Sequence, residues 1–377
     1  MVSKKISFLI PSISQGGIER IFIQVSNYII KNSLYKVEFF LNGSKYSKNN
    51  LLNEKIKVIS YNDISYKKYL FYLIKYYNSS KPDIIFSSLY IIGFVAIIAR
   101  IFSSHKPKII FGAHNALSYK ISNPDNNKDK YILKFLSKFF LNKADLVVSA
   151  SNGVGRELIE KFNLNKKKIV TISGPTHNKS EINKLLLEEC RHKFFKLKNH
   201  KILICVGRLS PQKGHEILLK SFHLFKKKYK SKLIIIGDGS EKKKLVNMTK
   251  KLGLVNDVSF MGSQNNPYKF LSKADLFVSA SKWEGLSLVI LEALYTGTNV
   301  VATDCKYGPS EILKSGKFGT LTKVNSVKSL YRGMLANIMK PKSIQSKIKN
   351  KNRAENFFKS NSNQEYLKII NKYLSSN

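Results

Sequence analysis

The chain has 377 residues, too many for one ordinary hydrophobic core and suited to two domains of typical size. Its apolar content of 43% is that of a globular protein and argues against a largely disordered chain. With 65 basic and 24 acidic residues, a formal net charge of +41, it would attract nucleic acid, anionic membranes or anionic substrates. The lysines are scattered along the chain, which is typical of a general compositional bias. We weigh that bias and membrane attraction equally, and nucleic acid below both.

Signals of cellular location are few. Cys190, Cys205 and Cys305 are widely spaced, which argues against a disulfide framework or a zinc site and favours a reducing cytoplasm. The N-terminal MVSKKISFLIPS has a short apolar run without a small-residue cleavage site, so it predicts a first strand and not a signal peptide. The longest apolar region, 84–102, contains serines, a glycine and an arginine. It predicts a buried strand, a short loop and a core helix, and not a transmembrane segment.

Short apolar strands alternate with longer helical stretches along most of the chain. The strands predicted in the first half are 6–10, 37–41, 84–87, 108–112 and 146–149. Those predicted in the second half are 202–207, 232–237, 258–261, 276–279 and 299–303. Apolar strands that alternate with helices are typical of parallel sheets covered on both faces. The last predicted helix is 365–374.

The chain also contains an internal repeat. KADLVVSAS at 143–151 recurs as KADLFVSAS at 273–281, with one difference. Each copy predicts a helix end, a buried strand and a polar exit loop. Two similar α/β domains in tandem explain the repeat, and a ligand would bind in the cleft between them or at the carboxyl ends of the strands. We expect the hinge between the domains at 173–189.

The segment WEGLSLVILEAL at 283–294 places Glu284 and Glu292 eight residues apart. In a helix this spacing is about 12 Å, whereas the paired carboxylates of a retaining glycosidase are about 5 to 5.5 Å apart. Glu284 would lie at the mouth of a helix and Glu292 about two turns along, with a phosphate-binding helix N-terminus between them. This layout suits a nucleotide sugar. The alternative, favoured by this motif alone, is an amphipathic helix with one glutamate in solvent.

A second candidate is GRLSPQKG at 207–214, directly after a predicted strand. Arg208 and Lys213 would project from the carboxyl end of that strand, where open α/β sheets bind ligands. An arginine fork and a lysine point charge suit a diphosphate. The alternative is a turn with two solvated cations.

The N-terminal half offers two further candidates. PSISQGGIER places Gly16 and Gly17 between a strand and a helix, where the backbone can approach an anion closely. FGAHNA places His114 just after another strand. A lone histidine is more often structural than catalytic, but its place at a strand exit in the same half as the glycine loop favours a site.

Together these motifs resemble the family 4 glycosyltransferases, retaining enzymes of the GT-B architecture that use nucleotide sugars. The resemblance rests on GGIER, AHN, GRLSPQKG, IGDG, NPY, EGLSLVILEA, ATDC and GPSEIL, in matching order across nearly the whole chain. The last two are most similar to the branch that builds bacterial lipopolysaccharide, O-antigen and capsule. The resemblance implies two Rossmann-like α/β domains, each with a doubly wound parallel sheet, facing a central cleft. The acceptor-side domain would be 1–178, the nucleotide-sugar domain 179–350, and 351–377 a helical tail packing back on the N-terminal domain.

The resemblance also implies residue roles. Arg208 and Lys213 would bind the diphosphate and stabilise its growing charge, Glu284 would hold donor-sugar hydroxyls, and His114 would lie beside the reacting centre. These four are the predicted catalytic residues. The predicted donor-binding residues are Gly16, Gly17, Gly262, Ser263, Gln264, Gly285, Leu286, Ser287, Leu288 and Glu292. Within this set, 285–288 would contact phosphate, Glu292 the ribose hydroxyls and 262–264 the nucleobase, and the two N-terminal glycines would line the cleft.

The implied reaction moves a hexose or N-acetylhexosamine from a UDP-linked donor to a lipid-linked saccharide in bacterial cell-surface polysaccharide biosynthesis. The anomeric configuration would be retained through an oxocarbenium-like transition state. No cofactor and no divalent metal are expected, because the chain contains no Asp-x-Asp pair. We expect a cytoplasmic enzyme, peripheral at the inner face of the plasma membrane. KDKYILKFLSKFFLNK at 128–143 would lie on anionic lipid, unless it is a core-packed helix with a solvated lysine face.

Two other functions are compatible with the composition. A nucleic-acid-binding α/β protein would explain the charge, but no ribonucleoprotein motif, helix-turn-helix or zinc pattern is visible. Another nucleotide-dependent α/β enzyme would explain the sheets. The chain lacks G-x-G-x-x-G followed by an acidic residue about 20 positions on, which argues against a dinucleotide enzyme.

Overall fold

The computed structural model describes residues 3–13, 17–43, 52–61, 64–87, 90–122, 127–173, 179–339, 343–358 and 362–375. The chain forms two compact units, one of 1–176 with 360–377 and one of 177–359. Each unit is built on one parallel sheet with helices packed around it, so the predicted α/β class with two Rossmann-like sheets is confirmed.

The first unit contains a seven-stranded sheet. Its strands are β1 Lys5–Ile10, β2 Lys36–Leu41, β3 Lys57–Ser60, β4 Ile84–Ser87, β5 Lys108–Ala113, β6 Leu146–Ser149 and β7 Ile169–Thr171. Their order is β3-β2-β1-β4-β5-β6-β7, with every neighbouring pair parallel. Its helices are α1 Gly17–Asn32, α2 Tyr66–Ser80, α3 Tyr90–Phe102, α4 Leu117–Ser122, α5 Asn127–Phe140 and α6 Asn152–Phe162.

The second unit contains a six-stranded sheet. Its strands are β8 Lys201–Val206, β9 Ser231–Ile236, β10 Val258–Phe260, β11 Leu276–Ser279, β12 Asn299–Thr303 and β13 Thr320–Thr322, in the order β10-β9-β8-β11-β12-β13. Its helices are α7 Lys179–Leu186, α8 His215–Lys226, α9 Lys242–Lys251, α10 Tyr268–Leu271, α11 Leu288–Tyr295, α12 Pro309–Leu313, α13 Val327–Ile338 and α14 Ile344–Phe358. All ten predicted strands are present, and β3, β7 and β13 are additional.

Central strands are buried on both faces, as their continuous apolar sequences predict. In β1, Phe8 is fully buried and its ring stacks 5.3 Å from that of Phe39 on β2 and 5.1 Å from that of Phe86 on β4. The apolar region 84–102 forms β4 and α3, as predicted. Within the described ranges, no helix combines the length and apolar character needed to cross a membrane.

The internal repeat serves the same structural purpose in both units. The Asp145 carboxylate accepts a hydrogen bond of 2.8 Å from the backbone N–H of Ile109, and Asp275 accepts one of 2.8 Å from Ile202. In each pair the aspartate N–H donates to the backbone carbonyl of the same partner. The repeated aspartate therefore holds the start of β6 against β5 in one unit and the start of β11 against β8 in the other.

The C-terminal residues divide between the units. Helix α15, Ser362–Ser375, belongs to the first unit, where Tyr366 and Ile370 are buried in the core around β1. Helix α14 packs on α11 in the second unit, and the predicted tail boundary at 351 falls inside it. Of the predicted hinge 173–189, residues 174–178 lie outside the described residues, and α7 begins at 179.

Candidate functional site

The loops that follow β8 and β11 meet at the carboxyl edge of the second sheet. Lys213, from the loop after β8, places Nζ 2.6 Å from Oε1 of Glu284, from the loop after β11. Ser281 Oγ donates to the same carboxylate oxygen at 2.7 Å. The exposed fraction is 20% for the Lys213 side chain and 6% for that of Glu284. The structure therefore brings two of the predicted catalytic residues into a mostly buried ion pair.

Hydrogen bonds to backbone carbonyls hold these two loops together. The side-chain amide of Gln212 donates to the carbonyl of Trp283 at 3.0 Å, and the N–H of Lys282 donates to the carbonyl of Gln212 at 2.8 Å. Gly214 has φ of 61°, and a Cβ there would lie 2.1 Å from the carbonyl oxygen of Ala280. Only glycine allows this approach, so the QKG sequence positions Lys213 against the opposite loop.

Glu284 precedes the helix and Glu292 lies within it, as predicted, but the eight residues between them are not all helical, so the predicted helical spacing was wrong. Helix α11 begins at Leu288, four residues after Glu284, because Ser287 adopts a left-handed conformation with φ of 65°. Glu292 lies in α11, is 4% exposed, and accepts a hydrogen bond of 3.1 Å from the phenol of Tyr268. The alternative with one glutamate in solvent is therefore also wrong for Glu292.

The N-terminus of α11 retains the character of an anion site. The Ser287 side chain makes no capping hydrogen bond, so it does not satisfy the first N–H groups of the helix. Residues 284–287 are buried, and Gly308 packs so closely that a Cβ on it would lie 2.6 Å from the carbonyl oxygen of Leu286. Of the predicted phosphate-contacting segment 285–288, the first three residues thus form a fixed loop beside Glu284 and Leu288 begins the helix, at the positive end of its dipole.

The remaining predicted residues of this unit lie at the same edge of the sheet. Arg208 is exposed and directly follows Gly207 at the end of β8. The N–H of Gly237, after β9, donates to the carbonyl of Gly262 at 2.8 Å. A Cβ on Gly237 would lie 2.0 Å from the carbonyl oxygen of Gly207, so the loops after β8, β9 and β10 are in close contact.

Beside Gly262, two residues that are predicted to contact the nucleobase differ in exposure. Ser263 is exposed, whereas Gln264 is partly buried and its side-chain amide donates to the Met261 carbonyl at 3.0 Å. Their contact with a nucleobase stays a prediction.

In the first unit, His114 directly follows β5, as predicted. Its ring packs edge-on against Phe22, with centroids 6.0 Å apart. The residue is partly exposed, but its Nε2 is buried and has no hydrogen-bond partner in the described part of the chain. Burial lowers the pKa of His114 to about 4, so the imidazole is neutral at physiological pH. Gly17 begins α1, and Gly16 lies outside the described residues.

Titratable groups next to the Lys213–Glu284 pair are held uncharged. Burial raises the pKa of Cys205 to about 12 and also raises that of Cys305, so both thiols stay protonated. Burial, with a smaller contribution from Lys213, lowers the pKa of His215 to about 4. Across the described ranges, no group of three or more His, Cys, Asp or Glu side chains is arranged to hold a metal ion.

Tyr268 and Ser281 were missed as functional candidates, although each contacts one of the two predicted glutamates. Tyr268 ends the NPY motif, and Ser281 ends the second copy of the repeat. Both positions were noted in the sequence, but spacing alone does not show which side chain a hydroxyl will contact.

Comparison with known proteins places the chain in a family. The profile described as "Glycosyltransferase Family 4" matches residues 15–176, and "Glycosyl transferases group 1" matches 188–375. A Campylobacter jejuni N-acetylgalactosamine-N,N'-diacetylbacillosaminyl-diphospho-undecaprenol 4-alpha-N-acetylgalactosaminyltransferase is 28% identical, covering 97% of this chain and 99% of that protein. A second C. jejuni N-acetylgalactosaminyltransferase, which acts on a GalNAc-containing diNAcBac-PP-undecaprenol, is 26% identical, covering 97% and 98%.

Solved structures share the fold. HepE from Anabaena, crystallised in complex with UDP and glucose, superposes with a TM-score of 0.75 at 20% identity, covering 98% of this chain and all of that one. Two profiles that together match nearly the whole chain, on a pair of parallel-sheet units, show that the protein belongs to glycosyltransferase family 4 and has the GT-B architecture.

Proposed function

We propose that this glycosyltransferase moves a hexose or N-acetylhexosamine from a UDP-linked donor to a lipid-linked saccharide in bacterial cell-surface polysaccharide biosynthesis, with retention of configuration. The observation that carries the proposal is the Lys213–Glu284 pair beside the uncapped N-terminus of α11. The names of two relatives that match nearly the whole chain specify undecaprenol diphosphate acceptors, and a structural neighbour holds UDP. These support the donor and the acceptor class.

Different site residues would bind different parts of the donor. Arg208, Lys213 and the N-terminus of α11 would hold the diphosphate and stabilise the charge that develops as the sugar leaves. Glu284 would accept hydrogen bonds from sugar hydroxyls. Glu292, oriented by the phenol of Tyr268, would accept from the ribose. Because these positive groups would face the leaving group, we propose that transfer requires no divalent metal.

We also propose that α5 rests on an anionic membrane, which would bring the enzyme to a lipid-linked acceptor. Its inward face carries Leu133 and Ser137, both buried. Its outward face exposes Tyr131, Phe135 and Phe139, with exposed fractions of 50 to 71%. Two of these rings lie 4.8 Å apart, so the helix exposes a contiguous aromatic patch. This outward face is aromatic as well as basic, which favours lipid contact over a purely solvated lysine face.

The charges around that patch favour anionic lipid. Lys130, Lys134 and Lys138 are exposed on the same helix, and each cation near an anionic surface contributes about 1 kcal/mol. Of the residues that the sequence assigned to the apolar face, Ile132 is also exposed, whereas Leu136 and Phe140 are half-buried. The exposed aromatic face of α5 is therefore rotated slightly from the apolar face that the sequence predicted.

Transfer activity is tested with purified protein, an undecaprenyl diphosphate-linked saccharide and a panel of UDP-sugars. Saturation-transfer NMR on the same panel identifies the donor without needing the correct acceptor. We expect contacts to uridine and sugar protons for at least one UDP-sugar. No binding of any nucleotide sugar at millimolar concentration would refute the donor assignment.

Membrane attachment is tested by flotation with phosphatidylglycerol-containing liposomes at low salt. We expect the wild type to float and Phe135→Ser/Phe139→Ser to stay at the bottom. The matched control is Ile344→Ser/Ile348→Ser, which removes two exposed apolar side chains from α14 in the second unit and should still float. Equal flotation of all three proteins would show that α5 is not the contact.

A further inference from the structure

We infer that Ser281 is a positioning residue, which holds the Glu284 carboxylate so that Oε2, and not Oε1, receives the donor sugar. The inference rests on the proposed function, because it assigns the geometry of the same sugar-binding carboxylate.

Both neighbours of the carboxylate contact the same oxygen. Oε1 of Glu284 receives Lys213 Nζ at 2.6 Å and Ser281 Oγ at 2.7 Å. Within the described residues, Oε2 accepts no hydrogen bond. It is not one of the fully buried polar atoms without a partner, so it retains some exposed surface. The carboxylate therefore has one occupied oxygen and one that opens to the site.

Ser281 is itself held by two neighbouring strands, β12 through its backbone carbonyl and β11 through its hydroxyl. Ser281 is 1% exposed, and Thr303, the last residue of β12, donates its hydroxyl to the Ser281 carbonyl. The hydroxyl of Ser279, the last residue of β11, lies 3.2 Å from that of Ser281. The Glu284 carboxylate can only accept, so Ser281 gives its one proton to Oε1 and accepts a hydrogen bond from Ser279.

The internal repeat shows what this serine does when no glutamate is present. Ser151 occupies the equivalent position in the first copy, where its hydroxyl accepts a hydrogen bond of 3.3 Å from the N–H of Val154 and caps α6. In the second copy the residue three positions on is Glu284, and the following helix starts only at Leu288. A serine that caps a helix in one copy therefore supports a carboxylate in the other.

This arrangement has a catalytic use. A carboxylate on a free rotamer would have to be ordered when the sugar binds, whereas this one is ordered before the donor arrives. With Oε1 occupied, a sugar hydroxyl would meet Oε2 in a single orientation. The effect would appear in kcat and in contacts to the sugar, and not in binding of the nucleotide alone.

The test is a double-mutant cycle. Ser281→Ala should lower kcat about tenfold, as expected for loss of a hydrogen bond to a charged group, and should leave the Kd for UDP within about twofold. In a Glu284→Ala background the same substitution should have no further effect, because the group that it positions is gone. Ser281→Cys keeps a similar volume and weakens the donor, so it should also lower kcat. It provides the test if Ser281→Ala folds poorly.

The matched control is Ser221→Ala. Ser221 is a fully buried serine on α8 whose hydroxyl lies within hydrogen-bond distance of the backbone carbonyls of Ile217 and Val327, so its loss should change thermal stability but not kcat. An unchanged kcat in both Ser281 variants, or an equal loss in the Glu284→Ala background, would overturn the inference. A wild type that uses no UDP-sugar would instead overturn the proposed function.

Discussion

Replacing Lys213 with methionine should separate folding stability from catalysis. The substitution keeps the aliphatic stem but leaves the Glu284 carboxylate, whose side chain is 6% exposed, with Ser281 as its remaining donor. Breaking a buried pair costs about 3 to 5 kcal/mol, whereas exposed pairs contribute about 0 to 1 kcal/mol. Lys213 is 20% exposed. We therefore expect a loss of about 2 to 3 kcal/mol in the free energy of unfolding.

The activity should fall for a different reason. Loss of one transition-state cation lowers turnover by about a hundredfold or more. The assays are urea denaturation and steady-state transfer, on the single variant and on Lys213→Met/Glu284→Gln. The double variant leaves no charge unpaired at this position, so it should regain most of the stability while its turnover stays low. If Lys213→Met keeps both its unfolding free energy and its kcat, the reasoning about this pair is wrong.

Three further outcomes are expected. Glu292→Ala should weaken donor binding, and Glu284→Ala should lower turnover more than Glu292→Ala does. Each effect should be about ten- to a hundredfold, since each variant loses a charged hydrogen-bond acceptor. Unchanged kinetics in both variants would exclude the donor-clamp role. Transfer should survive excess EDTA, and loss of activity that manganese or magnesium restores would require Glu284 to be reconsidered as a metal ligand. His215 is fully buried and has a pKa of about 4, so the free energy of unfolding should decrease as the pH is lowered. Its pKa is lower when folded than when unfolded, so this loss begins below about pH 6.5 and should reach about 2 kcal/mol at pH 5. The urea midpoint of His215→Phe should change less than that of the wild type between these pH values.

Continuous apolar strands made most of the fold predictable, and the exception was three of the four edge strands. The missed strands β3, β7 and β13 have three or four residues, and most of those residues are only partly buried. A strand at the margin of a sheet needs little apolar sequence, so its pattern differs little from that of a loop.

The candidate site was predictable to the level of loops, because parallel strands present their carboxyl ends at one edge. The contacts within those loops were not. The predicted helical spacing between Glu284 and Glu292 failed because the left-handed Ser287 delays the helix to Leu288, and nothing in EGLSLVILEA marks that conformation at a serine. Ser281 and Tyr268 were missed because hydroxyl contacts depend on side-chain directions that spacing does not specify.

The placement of α15 in the first unit affects the order in which the chain can mature on the ribosome. Tyr366 and Ile370 complete the core around β1, yet residues 177–359 of the second unit must be synthesised before them. At roughly 5 to 20 residues per second, that interval is on the order of ten to forty seconds. During it the N-terminal sheet lacks part of its cover, with apolar surface beside Phe86 open to chaperones or to aggregation. Translation speed through the second unit should therefore influence the yield of folded protein.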